Sequence, residues 1–592
     1  MSFSSPPALT GTFPLIGLEG AVTAILVGCA FGWPRICAGL FSRIESQFRV
    51  LARKPKTATA VVGLTALVLR LAILPILPIP IPLRPDEFSN LLAADTFCQG
   101  RLTNPTPAMW VHFETIHVDM VPTYMSMYFP AQGLVLAAGK VLFGQPWFGV
   151  LIGGAAMCAA VCWMLQAWLP PSWALLGGFL AVMRIALFSY WTSTYDNAGP
   201  ISALGGALVL GSLPRFRKDR SAYNLLLMGV GVVILGLSRP YEGLLLCIPV
   251  AVSLLHSSAT ARRPPVQTLL KRAAPSLVLL LGAAGWLGYY NYRAFGSPLT
   301  LPYTINRATY ATTPYYVWEK PRPEPHYRHP EMRLFYKTDA LDYYRVHSIA
   351  GFPAITLIKA IRGVYFFSGF ALIPPLFMIP WVLRDSRIRL LVICLLMLAA
   401  GMTIEIYLFP HYLAPLTPAF YALGLQAMRH LRLWRPGGLD VGMALARFSV
   451  ATCILMVCVR PFNKQLGCPV PERPVATWIL NWFGPDHFVT QRSIVEDQLE
   501  QIPGSQIAIV RYAPNHDTLD EWVFNAADID GSKVIWARDM GDADNKELLQ
   551  YYKNRKAWLV QPDLPSAEVT PYPMAEKVTA VPSGESAAWA KM

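Results

Sequence analysis

The chain has 592 residues, 54% of them hydrophobic and only 15% charged, with 50 Lys and Arg against 36 Asp and Glu for a formal charge of +14. A mean hydropathy of +0.38, with the apolar residues gathered into runs of membrane-spanning length, excludes a water-soluble globular protein and predicts a polytopic α-helical membrane protein. Nucleic acid is excluded as a partner, because the basic excess falls in short segments between apolar runs without any base-stacking or groove-reading pattern.

The first apolar run, Phe13 to Trp33, has no basic residue ahead of it, so it lacks the charged start of a cleavable signal and is expected to remain as a helix. Arg43, Arg49, Arg53, Lys54 and Lys56 close this N-terminal unit, residues 1–56, as a basic loop. Further basic clusters are Arg215, Arg217, Lys218 and Arg220; Arg262, Arg263, Lys271 and Arg272; Arg384, Arg387 and Arg389; and Arg429, Arg432 and Arg435. The positive-inside rule makes these cytoplasmic, with the lipid bilayer's anionic headgroups as neighbours.

The second run, Thr57 to Pro82, then travels outward and delivers Arg84-Pro85-Asp86-Glu87 to the far face. Two adjacent carboxylates at that depth need pairing, hydration or a ligand. Later spans are predicted near 148–168, 173–190, 199–213, 223–237, 243–256, 276–290, 361–383, 390–409, 413–428 and 441–459, about 12 in all with both termini outside. The run Ala131 to Phe143 is too short for ~30 Å of hydrocarbon at ~1.5 Å per residue, and is predicted to lie in the outer interface.

This topology gives a membrane unit, residues 57–459, with two long outer loops at 82–147 and 291–360. The first loop carries His112, Glu114, His117, Asp119, Tyr124 and Tyr128; the second carries Tyr303, Arg307, Tyr310, Tyr315, Tyr316 and Trp318. Loops of this length on a helical scaffold are places for binding and chemistry, although aromatics there also fit an interfacial belt.

Beyond Val459 the apolar runs shorten. Gln506 to Arg511, Lys533 to Trp536 and Lys556 to Val560 read as buried strands and Asn545 to Arg555 as a helix, predicting a small soluble α/β domain over 460–561 on the extracytoplasmic side. The Pro-, Ala- and Ser-rich residues 562–592 are expected to form a flexible tail. Acids between Asp517 and Asp544 fit a solvated face rather than a Ca²⁺ loop, since no EF-hand spacing is present. Of the ten cysteines, Cys98 and Cys468 are expected to face the oxidising side, and whether they pair is open.

Charges recur at the outer ends of the predicted spans. Arg70 and Arg184 precede Asp86 and Asp196; Arg239 lies in Ser238-Arg239-Pro240-Tyr241-Glu242; Glu405 precedes Phe409-Pro410-His411-Tyr412. Such a cluster is either a network of structural ion pairs or a site that holds a phosphate or metal and activates a hydroxyl.

The Asp86-Glu87 pair opening the first outer loop, the interfacial segment Tyr128-Phe129-Pro130-Ala131-Gln132-Gly133-Leu134 and the turn Phe143-Gly144-Gln145-Pro146-Trp147 resemble the GT-C superfamily of membrane glycosyltransferases. The similarity, spanning roughly Thr57 to Trp434, is to the subgroup of protein O-mannosyltransferases, lipid A aminoarabinose transferases and core-galacturonosyl transferases. The resemblance implies transfer of a sugar, usually with inversion, from a polyprenyl-phosphate donor to an extracytoplasmic glycan, lipid or protein acceptor at a bacterial inner membrane.

It also implies site residues. Asp86 matches the loop acid that serves as general base or metal ligand, with Glu87 beside it, and Asp196 matches the second acid, so that a divalent Mg or Mn ion would rest on Asp86 and Asp196. His411-Tyr412-Leu413-Ala414-Pro415 looks like an Arg-Tyr-x-x-Pro element with His in place of Arg, a departure that removes a permanent charge. Arg70, Arg239, Arg293 and Arg307 are the candidates to hold phosphate. The rival class is a transporter or flippase of a lipid-linked sugar, for which inverted repeats would be the signature, and none is visible.

Overall fold

The computed structural model describes residues 14–196, 198–260, 266–468, 470, 482–485, 489–564 and 567–573. The expectations on Arg262 and Arg263, and on the tail beyond 573, lie outside the described residues. Helices dominate. Among the described residues six are long and apolar enough to cross a membrane, or seven if a pair bent by 107°, Pro330–Val346 with Gly351–Ser368, counts as one. The chain is a multi-pass helical membrane protein.

The opening helices are α1 (Leu15–Gly32), α2 (Ala38–Ala52) and α3 (Pro55–Ala72). Arg43 and Arg49 ride on α2 rather than in a loop, because Phe41, Phe48 and Leu51 give that segment an apolar face that packs on the bundle. Likewise the run expected to end at 213 continues as helix Gly199–Asp219, placing Arg215, Arg217 and Lys218 in its last turns, where cations suit the helix dipole.

The run expected at 361–383 is not one helix. Gly351–Ser368 stops at Gly369, whose φ of 52° leaves the helical region, and Pro374, Pro375 and Pro380 then permit only four-residue helices. Several other expected spans are short apolar helices, at Pro171–Ala186, Ala222–Ser238 and Pro240–His256. Helix Gly199–Asp219 lies against the 3₁₀ segment Pro410–Leu416 so closely that a Cβ on Gly206 would stand 1.8 Å from the Pro415 carbonyl oxygen.

The first outer loop folds into α4 (Pro85–Cys98), a small antiparallel sheet of β1 (Asn104–Pro105), β2 (Val118–Asp119) and β3 (Thr123–Ser126), and the helix Pro130–Phe143. That last helix sits directly on α4: a Cβ on Gly133 would come within 2.6 Å of the Ala93 Cβ. The second outer segment contributes helices Pro302–Tyr310 and Pro330–Val346, and its strand-like bridge pairs Tyr316 with Glu405.

The C-terminal residues form a four-stranded sheet, β4 (Gln506–Val510), β5 (Val534–Arg538), β6 (Lys556–Gln561) and β7 (Glu568–Pro571), in the order β5-β4-β6-β7. The first three are parallel and β7 is antiparallel to β6. Strand β7 falls inside the segment expected to be a tail; Val569 and Thr570 continue the sheet where composition alone read as loose. Both faces are covered, as parallel strands require. Ile507, Ile509 and Ile535 pack with Leu92, Phe113, Val118 and Tyr124 of the first outer loop, while Ala508, Val510, Trp536 and Val560 pack with Val495 and Leu499 of helix Gln491–Gln501. Cys98 and Cys468 are free thiols.

Candidate active site

Arg84 and Pro85 open α4, with Pro85 at the first helical position, so Asp86 and Glu87 occupy the first turn, where the helix dipole favours carboxylates. The two acids then diverge. Glu87 is 1% exposed and accepts backbone N–H bonds from Leu83 at 3.2 Å and Tyr195 at 3.1 Å, fastening the start of α4 to the segment that carries Asp196. Burial pushes its carboxyl above the usual range, opposed by Arg84 and the two N–H donors.

The Asp86 side chain is 26% exposed and therefore reachable. Its Oδ1 accepts a short hydrogen bond from the Tyr128 hydroxyl and lies 3.2 Å from His117 Nδ1, while Tyr128 Oη and His117 Nδ1 are 3.1 Å apart. The hairpin register explains this meeting: Val118 pairs with Ser126, so His117 before β2 and Tyr128 after β3 emerge side by side. Met127 N donates to the His117 carbonyl at 3.3 Å and Ser89 Oγ donates to it at 2.7 Å, which holds His117 at a φ of 62°, a conformation uncommon for a residue with a side chain. Burial pushes the Asp86 carboxyl up, but the His117 ring, the Arg84 guanidinium and the Tyr128 hydroxyl outweigh it and hold that carboxyl well below the usual carboxylate range.

Arg84 forms a buried ion pair with Asp196, at a length short for such a bond, and lies within electrostatic reach of Asp86 and Glu87. His411 accepts or donates at 2.9 Å with the Tyr190 hydroxyl and is within reach of Arg239, Asp86 and Arg84. Burial, reinforced by Arg239 and Arg84, drives the His411 ring well below the usual imidazole range, so it stands there uncharged. Arg239 lies 4.4 Å over the Tyr412 ring and 3.5 Å from Glu242, its side chain 19% exposed. Ends of separate helices thus bring Asp86, Glu87, Asp196, Arg239, His411 and Tyr412 into one group.

Other expected members are elsewhere or already engaged. Arg70 is wholly buried at the end of α3, donating to the Leu77 carbonyl at 3.0 Å and stacked 4.7 Å from Trp147, so it braces the turn after α3. Arg293 is on the exposed side of helix Val266–Phe295, bonded to Tyr289 Oη at 3.1 Å, and pairs with no acid among the described residues. Arg307 sits beside the site against Tyr315 at 4.7 Å, with its charge taken by Asp339 at 2.8 Å and its Nη2 by the Thr313 carbonyl at 2.6 Å. Arg184 pairs with Glu19 of α1. As for the expected divalent ion, Asp196 is paired with Arg84, Asp86 accepts from Tyr128 beside His117, and no three His, Cys, Asp or Glu side chains among the described residues gather as ligands.

Two solved proteins align with most of this chain. ArnT from Cupriavidus metallidurans in the apo state aligns over 85% of this chain and 92% of its own at 13% identity, with a TM-score of 0.49; bound to undecaprenyl phosphate it aligns over the same shares at 12% identity and 0.47. The Archaeoglobus fulgidus oligosaccharyltransferase in complex with Zn and sulfate aligns over 85% of this chain and 67% of its own at 12% identity and 0.43. Both are GT-C membrane glycosyltransferases, the superfamily that the outer-loop motifs resemble. No protein-family model matches the chain, and no curated protein matches it. At such identities and TM-scores the alignments carry no argument about this chain's chemistry, which has to come from its residues.

The sequence named Asp86, Glu87, Asp196, Arg239, His411 and Tyr412 but gave no part in the chemistry to Arg84, His117, Tyr128 or Tyr190. Arg84 was legible from its adjacency to Asp86. His117 and Tyr128 were not, because only the hairpin register brings them to the carboxylate.

Proposed function

We propose that the protein is an integral membrane glycosyltransferase that moves a sugar from a polyprenyl-phosphate donor to an acceptor on the extracytoplasmic face. The chain would cross about a dozen times, once in residues 1–56 and otherwise in the membrane unit 57–459, with the site and the C-terminal sheet on that face. The observation that carries this reading is Asp86: a partly exposed carboxylate, oriented by His117 and Tyr128 and within electrostatic reach of the buried Arg84 guanidinium.

In the proposed reaction the acceptor oxygen bonds to the anomeric carbon from the face opposite the phosphate, the bond from that carbon to the phosphate oxygen breaks, and its electron pair leaves with the polyprenyl phosphate. The hydroxyl proton passes to the Asp86 carboxylate. A carboxyl held below its ordinary range is a weak base, so it takes the proton late, when bonding to an electron-poor anomeric carbon has made the hydroxyl acidic. Arg239, partly exposed and steadied by Tyr412, is the guanidinium best placed to meet the phosphate oxygens. Glu87 and Asp196 orient: one anchors α4 to the Tyr195 backbone, the other fixes Arg84.

The test is Asp86→Asn in the purified full-length protein. The amide keeps the shape but takes no proton, so transfer should fall by roughly 10²–10⁴-fold with carrier binding retained. Transfer near the wild-type rate would remove Asp86 from the reaction.

A further inference from the structure

Asp86 stands on a helix that is held from outside the membrane bundle as well as by Tyr195 and helix Pro130–Phe143. On α4 the residues Phe88, Leu92 and Asp95 are four and then three positions apart and share one face. That face meets the C-terminal sheet. The Phe88 ring lies parallel to the Phe524 ring, 5° apart in plane with centroids separated by 4.6 Å. The Arg492 guanidinium is 4.7 Å over the same Phe88 ring, held by donating Nε to the Trp522 carbonyl at 3.0 Å and Nη2 to the Phe524 carbonyl at 3.1 Å. Leu92 packs with Ile507, Ile509 and Phe524. Asp95 Oδ2 accepts the Ala527 N–H at 2.9 Å, and Tyr124 Oη donates to the Asn525 carbonyl at 2.9 Å.

The segment from Phe524 to Ala527, between β4 and β5, therefore runs along α4, stacked on it at one end and hydrogen-bonded to it at the other. Its leverage on Asp86 follows from helix geometry. A side chain ~5–6 Å from a helix axis moves by about 1 Å when the helix rolls by ~10°, and a misplacement of about 1 Å can cost ~10²-fold in rate. Phe88 is two residues from Asp86 in the first turn, where a helix has the fewest hydrogen bonds of its own to resist such a roll.

We propose that the C-terminal sheet positions the reactive carboxylate: Phe524, backed by Arg492, stacks on Phe88 and sets the roll of α4, and with it the direction of Asp86. Phe524 and Phe88 are positioning residues; neither touches substrate. The proposal rests on Asp86 being the proton acceptor, and it gives the C-terminal sheet a part in the transfer step.

The test uses the full-length purified protein with Phe524→Leu and Phe88→Leu, which keep an apolar side chain but lose the flat ring, and Phe88→Tyr, which keeps the ring. Each Leu variant should lower kcat by about tenfold or more while the carrier Kd stays within about twofold, the double Leu variant should be no worse than either single, and Phe88→Tyr should stay near wild type. Wild-type kcat in Phe524→Leu, equal losses in the Tyr and Leu variants, or carrier binding lost in parallel with kcat would overturn the proposal. If the wild type itself transfers no sugar, the assigned reaction fails, and the stack is then read by hydrogen exchange over residues 85–98. Faster exchange in Phe524→Leu upholds the sheet's hold on α4; unchanged exchange refutes it.

Discussion

Asp86 and Glu87 are neighbours in sequence with different partners: Glu87 gives both oxygens to backbone N–H groups, whereas Asp86 meets an imidazole and a phenol and stays reachable. This difference predicts a pH dependence. The folded protein holds the Asp86 carboxyl below its ordinary value, so the ionised form persists through mildly acid pH and is lost only as pH falls through that lowered value. His117→Gln removes the first of the groups that lower it, and the acid limb of kcat/KM should move toward neutrality; an unmoved limb would mean that His117 does not tune Asp86. His411 supplies a second test. Burial and the neighbouring Arg239 and Arg84 disfavour charge on its ring, so His411→Arg puts a buried cation beside two others and should lower the unfolding temperature; an unchanged or raised value would contradict the environment described here.

Among the elements, the positions of helix ends along the chain were legible in the sequence and direction around the helix axis was not. Alternating spans put the helix ends that bear Asp86, Asp196, Arg239 and His411 on one face, and in the structure these residues lie in one group. The same reasoning also offered Arg70 and Arg293, which lie near helix ends but turn to Trp147 and Tyr289. Breaks at the π-turn Val182–Ala186 and at Gly369 were hidden too, because apolar composition continues across both. The arginines can be told apart by experiment. Arg239→Ala should weaken carrier binding by about 10–100-fold, the equivalent of ~1.5–3 kcal/mol for a hydrogen bond to a charged group. Arg307→Ala, whose guanidinium is committed to Asp339 and Thr313, should act chiefly on folding yield. Comparable carrier affinity for Arg239→Ala and wild type would transfer the phosphate role to another cation.

At the scale of the molecule, a bundle of apolar helices supports an outer layer in which two loops and a parallel sheet interlock through buried polar contacts. Arg538 shows the interlock: it donates to the Glu114 carbonyl at 2.7 Å, pairs with Glu521 at 2.6 Å and lies 3.4 Å from Glu331. The strands of that sheet were visible as short apolar runs, but their docking against α4 was not, since no local pattern encodes a contact across 400 residues or more, such as Tyr124 to Asn525. A layer so tied suits a site that must hold donor and acceptor still while excluding water. The central claim is that this site breaks a sugar–phosphate bond, and the most direct measurement is release of free polyprenyl phosphate by the detergent-purified protein given a lipid-linked sugar and candidate acceptors. The account predicts release that depends on acceptor and is lost in Asp86→Asn. Movement of intact lipid-linked sugar across liposomes, with no release for any donor and acceptor pair, would contradict it and make the protein a transporter.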